Sequence, residues 1–180
     1  TEIPWGEFER DVPDLTSVCE TPERREIETA LRRKIFTATS LPCDEVVEPF
    51  YEIRSVLTGA DYGVESEEHL VAQGDSYIQS HDYEPVISEP EDAEKIRMPD
   101  VRLDEEATAE KRRIAEEALG ETLPVVVAGV RQQFYPLWDV LVRWTGVTEA
   151  LTDLAMRPEF IHALMRRLTD STLARMTQLE

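Results

Sequence analysis

Apolar residues recur every three or four positions in five stretches of the chain, and this spacing predicts five amphipathic helices. The first begins with Thr21 as N-cap and Pro22 at the first helical position, and it ends near Thr39. The second covers residues 105–119 and stops at Gly120. The residues expected to face inward are Ile27, Leu31 and Ile35; Ala107, Ile114, Ala115 and Ala118; Leu137, Leu141 and Trp144; Val147, Ala150, Leu151 and Leu154; and Ile161, Leu164, Met165 and Leu168.

Other segments have the pattern of strands. TLPVVVAGV, residues 122–130, is apolar at consecutive positions, which is typical of a parallel strand covered on both faces. Residues 45–48 predict a short strand, followed by a loop that carries Tyr51 and Arg54. The alternation in SYIQSHDYEPVIS, residues 76–88, favours a small β-ribbon.

The order of these elements indicates an α/β protein. Helices flank the apolar strand on both sides in sequence, as in βα units. One buried parallel strand is too few for a complete sheet, and the chain stops inside a predicted helix, so it looks like part of a larger domain. The first twenty residues look like an arm with loop character that Trp5 and Phe8 could anchor.

Composition narrows the class of function. The net charge is −19, with 38 acidic against 19 basic residues, which argues against binding nucleic acid or an anionic membrane. The charge is interpreted as a solvated, self-repelling surface, with an acidic face for a basic partner protein as the alternative. Two isolated cysteines and no visible signal peptide fit a reduced cytoplasmic protein.

Motifs for nucleotides, zinc proteases, serine hydrolases and calcium loops do not occur in the sequence. The three histidines lie far apart and lack metal-ligand spacing, so no metal site is expected in these residues. His81 lies in a polar loop beside Asp82, which is a weak signal for a site.

Three longer stretches carry a resemblance to a known family. They are YEPVISEPEDAEKIRMPDV at 83–101, LPVVVAGVRQQFYPLWDVL at 123–141, and GVTEALTDLAMRPEFIHALMRRLTDSTLARMTQLE at 146–180. In order and spacing together they resemble the uroporphyrinogen decarboxylase superfamily, over roughly residues 84–180. LPCDEVVEPFYEI and the long acidic middle resemble the methyltransferase-like branch found in anaerobes.

The resemblance implies a (β/α)8 barrel with its site at the carboxyl ends of the strands. The expected fold is therefore the N-terminal portion of a TIM barrel, with an N-terminal helical extension and a small β-ribbon insertion. Residues 1–40 would form the arm and helix, and residues 41–180 the first part of the barrel. Such a barrel typically takes ~250 residues.

The family also implies a function. It includes cofactor-free porphyrinogen decarboxylases, and methyltransferases that move a methyl group between a corrinoid protein and a thiol or tetrahydrofolate. The expected function is the methyl transfer, with a corrinoid-binding protein and a small-molecule methyl acceptor as partners. A homodimer is also compatible with the sequence.

Two departures from the family pattern bear on the alternatives. The Arg-Gln-Ala-Gly-Arg-Tyr and Phe-Ser-Asp stretches of the decarboxylases are missing, so decarboxylation becomes the alternative activity. The His-x-Cys motif that holds zinc in thiol methyltransferases belongs to the second half of the barrel, so zinc is expected only beyond this chain. A non-catalytic fragment or interaction module is a further alternative.

Candidate site residues follow from the implied barrel. Polar residues directly after the apolar strand could clamp a carboxylate or the edge of a corrinoid or pterin, or they could be a solvated loop tip. Glu48, the acid in VVEPF, is expected to be buried and to find a partner or shift its pKa, or else to form an ordinary Glu–Arg pair at the barrel mouth. The catalytic candidates are Glu48 and Asp139. The candidates for binding substrate or cofactor are Tyr51, Arg54, Arg131, Gln132, Gln133, Phe134, Tyr135 and Trp138.

Overall fold

The computed structural model describes residues 3–41, 43–71, 80–130 and 134–179. In these residues the protein is mixed α/β, with helices and short strands. The α-helices are α1 (Trp5–Asp11), α2 (Pro22–Ser40), α3 (Glu105–Leu119), α4 (Leu137–Thr145), α5 (Val147–Met156) and α6 (Pro158–Gln178). The strands are β1 (Tyr51–Arg54), β2 (Leu57–Thr58), β3 (Glu67–Val71), β4 (Ser80–Glu84), β5 (Arg102–Leu103) and β6 (Val125–Ala128), and 3-10 helices cover Pro13–Leu15 and Pro90–Lys95.

The chain divides into two compact units. Unit 1 comprises Thr1–Val56 and Asp104–Gly129, and unit 2 comprises Leu57–Leu103 and Val130–Glu180. The predicted division into an arm at 1–40 and a barrel portion at 41–180 stays a prediction, as does the closed barrel.

Unit 1 is built on one parallel strand pair. β1 runs parallel to β6, with Tyr51 beside Val125 and Arg54 beside Ala128. Two parallel strands must be joined by a crossover connection. The last part of the connection from β1 to β6 is α3, which directly precedes β6. Ile27 of α2, Ile53 of β1 and Ala115 of α3 form the buried core between the helices and the strands.

The structure corrects the predicted position of the first strand. Residues 45–48 lie in an exposed loop, and the strand begins at Tyr51. Val46 and Val47 are 67% and 60% exposed, since the packing partners on α2 and α3 cover Ile53 instead.

The parallel direction predicted for 125–128 is confirmed, whereas full cover of both faces is not. Val127 is 42% exposed. Within the described part of the chain β6 has β1 as its one neighbouring strand, and α3 packs against this pair from one side.

The arm is more helical than its sequence suggested. Gly6 and the two prolines favoured a loop, yet α1 and a 3-10 turn form there. The prediction that Trp5 and Phe8 anchor the arm is confirmed. Both rings pack on Phe36 of α2, with centroid distances of 6.3 Å and 5.2 Å.

Unit 2 has its own core, formed by α4, α5, α6 and the segment that contains Pro90–Lys95. Its buried residues are Ile87, Ile96, Leu141, Trp144, Ala150, Phe160, Ile161, Leu164 and Leu168. Helical periodicity predicted most of the α4 and α6 members. The β-ribbon predicted at residues 76–88 has other bounds in the structure, where β3 pairs antiparallel with β4 and joins Glu67–Val71 to Ser80–Glu84.

Helix α5 departs from its predicted orientation. Of the four residues expected to face inward, Ala150 is buried, while Val147, Leu151 and Leu154 are 52%, 59% and 43% exposed. Asp153 takes an inward position because it binds Arg157, the residue between α5 and α6. In α3, Ala118 is likewise exposed although its spacing placed it inward.

Candidate functional site

The carboxyl end of β1 is held in place by side chains and backbone of unit 1. Both the backbone N–H and the hydroxyl of Ser55 donate to the carbonyl of Ala128, at 3.0 Å and 3.2 Å. The N–H of Val56 donates to the Thr108 hydroxyl at 2.9 Å, and the N–H of Asp104 donates to the Val56 carbonyl at 2.9 Å. The strand end is thereby tied to β6 and to the first turn of α3.

Arg54 is presented at this end. It is exposed and makes no hydrogen bond or ion pair with any residue that the structure describes. Because β1 and β6 are parallel, Gly129 leaves β6 at the same end at which Arg54 leaves β1. A Cβ added at Gly129 would meet no atom within 4 Å, so the space beside it is open.

A cleft of about 310 Å³ opens between α2, β1 and α3. Its floor is apolar, and charged side chains surround its mouth. The lining residues are Glu23, Glu26, Ile27, Tyr51, Glu52, Ile53, Arg54, Lys111, Ile114 and Ala115. The size and the mixture of an apolar floor with a few polar groups are typical of a small-molecule site.

Tyr51 is the aromatic group of this cleft. Burial, and to a smaller extent the charge of Glu26, raise the pKa of its phenol above the ordinary value of 10.0. The phenol therefore stays protonated at neutral pH and can donate a hydrogen bond. Across the mouth, the Lys111 ammonium lies 3.9 Å from a Glu26 carboxylate oxygen, a loose pair between exposed groups that screening weakens.

The structure brings together two of the predicted site residues, Tyr51 and Arg54, at one cleft. It does not bury Glu48. That residue lies exposed in the loop before β1, because the strand begins at Tyr51, six residues after its predicted start at residue 45. The expectation of a buried acid there is wrong.

The remaining predicted site residues belong to the segment after β6. Arg131, Gln132 and Gln133 lie outside the described residues, so the polar clamp stays a prediction. Phe134 is 83% exposed and Trp138 is 36% exposed. Asp139 is exposed in the first turn of α4, and no side chain makes a cap hydrogen bond at the start of this helix.

Tyr135 differs from its neighbours. Its hydroxyl is buried and has no hydrogen-bond partner among the residues that the structure describes. The same is true of Nε of Arg175, whose guanidinium lies 5.8 Å from the centre of the Tyr135 ring. A buried polar atom without a hydrogen bond costs free energy, so a further polar group beside the Tyr135 hydroxyl and Nε of Arg175 would be stabilising.

Sequence reasoning missed the helix residues of the cleft. Glu23, Glu26 and Lys111 occupy the polar faces of amphipathic helices, where charges are ordinarily solvated. Their proximity depends on how α2 and α3 pack over β1, which no spacing in the sequence encodes.

Neither a metal cluster nor a membrane span is found in the described ranges. There, His, Cys, Asp and Glu do not gather in groups of three that could hold a metal ion. No helix among those residues combines the length and the apolar character needed to cross a bilayer.

Comparison with known proteins gives no family for the chain: no family model, no curated protein and no solved structure matches it. Function must therefore be argued from the residues and their geometry.

Proposed function

We propose that this protein is a methyltransferase of the uroporphyrinogen decarboxylase superfamily, which moves a methyl group between a corrinoid protein and a thiol or tetrahydrofolate. The observation that carries the proposal is the parallel pairing of β1 with β6, with α3 directly before β6. A βαβ unit of this kind is the building block of a (β/α)8 barrel. The sequence resemblance over residues 84–180 supplies the family.

The strand ends support the same proposal. In such barrels the site lies at the carboxyl ends of the strands. Arg54 stands at this end of β1, and the open space at Gly129 lies at this end of β6. The polar residues 131–133, proposed as a clamp, directly follow in the sequence.

The cleft suits the methyl acceptor better than the corrinoid. Its volume of about 310 Å³ matches a small molecule and is too small for a whole corrinoid macrocycle. The corrinoid would stay on its own protein and meet the rim from outside. When bound, it would supply the methyl group, activated by its bond to cobalt, for transfer to the acceptor.

The chain's own residues would bind and orient. Arg54 would attract a carboxylate or phosphate of the acceptor, because it has no competing partner among the described residues. The protonated Tyr51 would donate a hydrogen bond, and Ile27, Ile53 and Ile114 would keep water from the apolar part of the ligand. Positioning of this kind, rather than proton transfer, is what an in-line displacement requires of the protein.

The test is the demethylation of free methylcobalamin by the purified chain. Methylcobalamin is mixed with a thiol or with tetrahydrofolate, and the loss of its absorption spectrum is followed with and without protein. We expect acceleration over the protein-free rate, reduced about tenfold or more by R54Q and left unchanged by R102Q. Arg102 is a suitable control because it is an exposed arginine in unit 2 that pairs with Asp100.

No acceleration with either acceptor would overturn the proposal. Equal loss in R54Q and R102Q would also contradict it, since the site would then not be at the end of β1.

A further inference from the structure

A second surface, on unit 2, is apolar and exposed, although helical periodicity places its α5 residues inward. On α5, Val147 and Leu151 are 52% and 59% exposed, and Trp138 of α4 is 36% exposed. An exposed patch of this kind, next to polar residues, marks an interaction site more often than a solvated face.

These residues border a groove on the outside of α4 and α5. The groove encloses about 340 Å³, and we name it the α4–α5 groove. Its lining residues are Tyr83, Trp138, Asp139, Val142, Arg143, Val147 and Leu151. Tryptophan, tyrosine and arginine are the residues that most often carry the energy of protein interfaces, and the groove contains one of each: Trp138, Tyr83 and Arg143.

The groove contains one acid and one base that are a turn apart on α4. Asp139 and Arg143 are both exposed, and neither forms an ion pair or hydrogen bond within the described part of the chain. Such a pair of charges can be satisfied by a second copy when a two-fold axis passes between the two residues. The acid of one copy then faces the base of the other.

The chain as a whole carries a net charge of −19, which opposes self-association. Residues 131–180, which include the helices of the groove, contain six acidic and six basic residues, whereas Tyr83 on its other side lies between the exposed acids Asp82 and Glu84. A second copy must therefore be held by the apolar surface and by the pairing of Asp139 with Arg143, against the repulsion of these acids.

We propose that the α4–α5 groove is an interface between two copies of this chain, in which Asp139 of each copy pairs with Arg143 of the other. Trp138, Val147 and Leu151 lose their exposure in this interface. The inference goes beyond the proposed methyl transfer and does not depend on it, and it gives Asp139 a role in association instead of proton transfer.

Charge reversal tests the pairing. The mass of the particle in solution is measured by light scattering or sedimentation, for the parent chain and for D139R, R143D and the double variant D139R/R143D. We expect a dimer for the parent, at least a tenfold weaker association for each single variant, and recovery in the double variant. Recovery follows because reversing both charges restores opposite signs across the two-fold axis.

An apolar substitution tests the surface itself. L151E places a charge in the groove and is expected to give a monomer. V18E is the control, because it places the same charge on unit 1 at a residue that is 74% exposed, and this variant is expected to stay dimeric. Circular dichroism of each variant checks that it remains folded. A monomeric parent chain at high micromolar concentration, or a folded double variant that fails to recover, would overturn the proposal. A dimer that survives L151E would show that another surface is used.

Discussion

Asp153 and Arg157 lie one helical turn apart and join through two parallel hydrogen bonds. Nε of Arg157 donates to Oδ1 of Asp153 at 2.7 Å, and Nη2 donates to Oδ2 at 2.8 Å. Nη1 of the same arginine donates to the carbonyl of Ser88 at 3.1 Å, and its guanidinium lies 4.8 Å from the centre of the Phe160 ring. The junction of α5 and α6 is thereby tied to the segment that precedes Pro90–Lys95.

The first prediction concerns this pair. Asp153 is 6% exposed, so D153A would leave Arg157 without the carboxylate that raises the pKa of its guanidinium. The variant removes both charge-assisted hydrogen bonds, although solvent screens the pair because the Arg157 side chain is 43% exposed. We expect D153A to lower the free energy of unfolding by clearly more than its matched control does, in urea titrations followed by circular dichroism.

The matched control is D170A on α6, which removes an exposed aspartate without such a partner among the described residues. It is expected to change the unfolding free energy by less than about 0.5 kcal/mol. Equal effects of D153A and D170A would contradict the role given to the pair.

The same pair explains why α5 was predicted less well than its neighbours. Periodicity placed Leu151 and Leu154 inward, because a helix normally buries its apolar stripe. In the fold, the bond to Arg157 brings Asp153 inside, and the stripe turns outward. An ion pair from α5 to the residue that follows it overrides the hydrophobic pattern here, and the periodicity of the apolar residues alone does not reveal it.

Helix ends and cores were easier to predict because their causes are local. Thr21 accepts a hydrogen bond from the N–H of Arg24, and Asp104 accepts one from the N–H of Ala107, as their positions before helices suggest. By contrast, Glu48 and the strand after it depend on which residues α2 and α3 can cover. The candidate cleft shows the same difference between local causes and packing. Tyr51 and Arg54 were predicted from the sequence, whereas the helix residues that face them were not.

The second prediction concerns pH and Glu28 in α2. The N–H of Cys19, the Arg32 guanidinium and the N–H of Val18 all donate to its carboxylate and hold its pKa at about 2, against an ordinary value of 4.5. A depressed pKa in the folded state stabilises the protein above pH 4.5, and that stabilisation is lost as the pH falls toward 2. We expect the stability of the parent chain to fall between about pH 5 and 2 more steeply than that of E28Q.

Unfolding midpoints in urea, measured at a series of pH values, give this comparison. E121Q is the control, because Glu121 is an exposed glutamate of the turn after α3, and its curve is expected to follow the parent chain. Parallel curves for the parent chain and E28Q would rule out the hydrogen bonds as the cause.

The third prediction concerns Tyr51 and connects the cleft to a spectroscopic signal. Burial first, and Glu26 second, raise the pKa of the phenol. Stability from this group is present below pH 10 and is lost as the pH rises through the raised pKa, because the unfolded phenol ionises first. The difference in phenolate absorbance between the parent chain and Y51F should therefore titrate above pH 10, and E26Q should move it part of the way back.

A ligand in the cleft should push this titration further up. It would cover the phenol and remove more water from it. If the phenolate signal of Tyr51 titrates at the ordinary value, the residue is solvated, and the cleft is not built as described.

The last prediction concerns two glycines that differ in backbone and in space. Gly59, between β2 and the turn that follows it, has φ of +64°, and a Cβ there would lie 2.2 Å from the carbonyl oxygen of Asp100. Its own carbonyl accepts from the N–H of Asp100 at 3.1 Å, so the two segments cannot separate without losing that bond. G59A thus meets both backbone strain and a clash, and it should lower the unfolding free energy by about 2 kcal/mol or more.

Gly129 has neither a positive φ nor a neighbour within 4 Å of its Cβ position, so G129A should leave stability within about 0.5 kcal/mol of the parent chain. Thermal unfolding of both variants gives the comparison, and an unaffected G59A would mean that the turn can open away from Asp100.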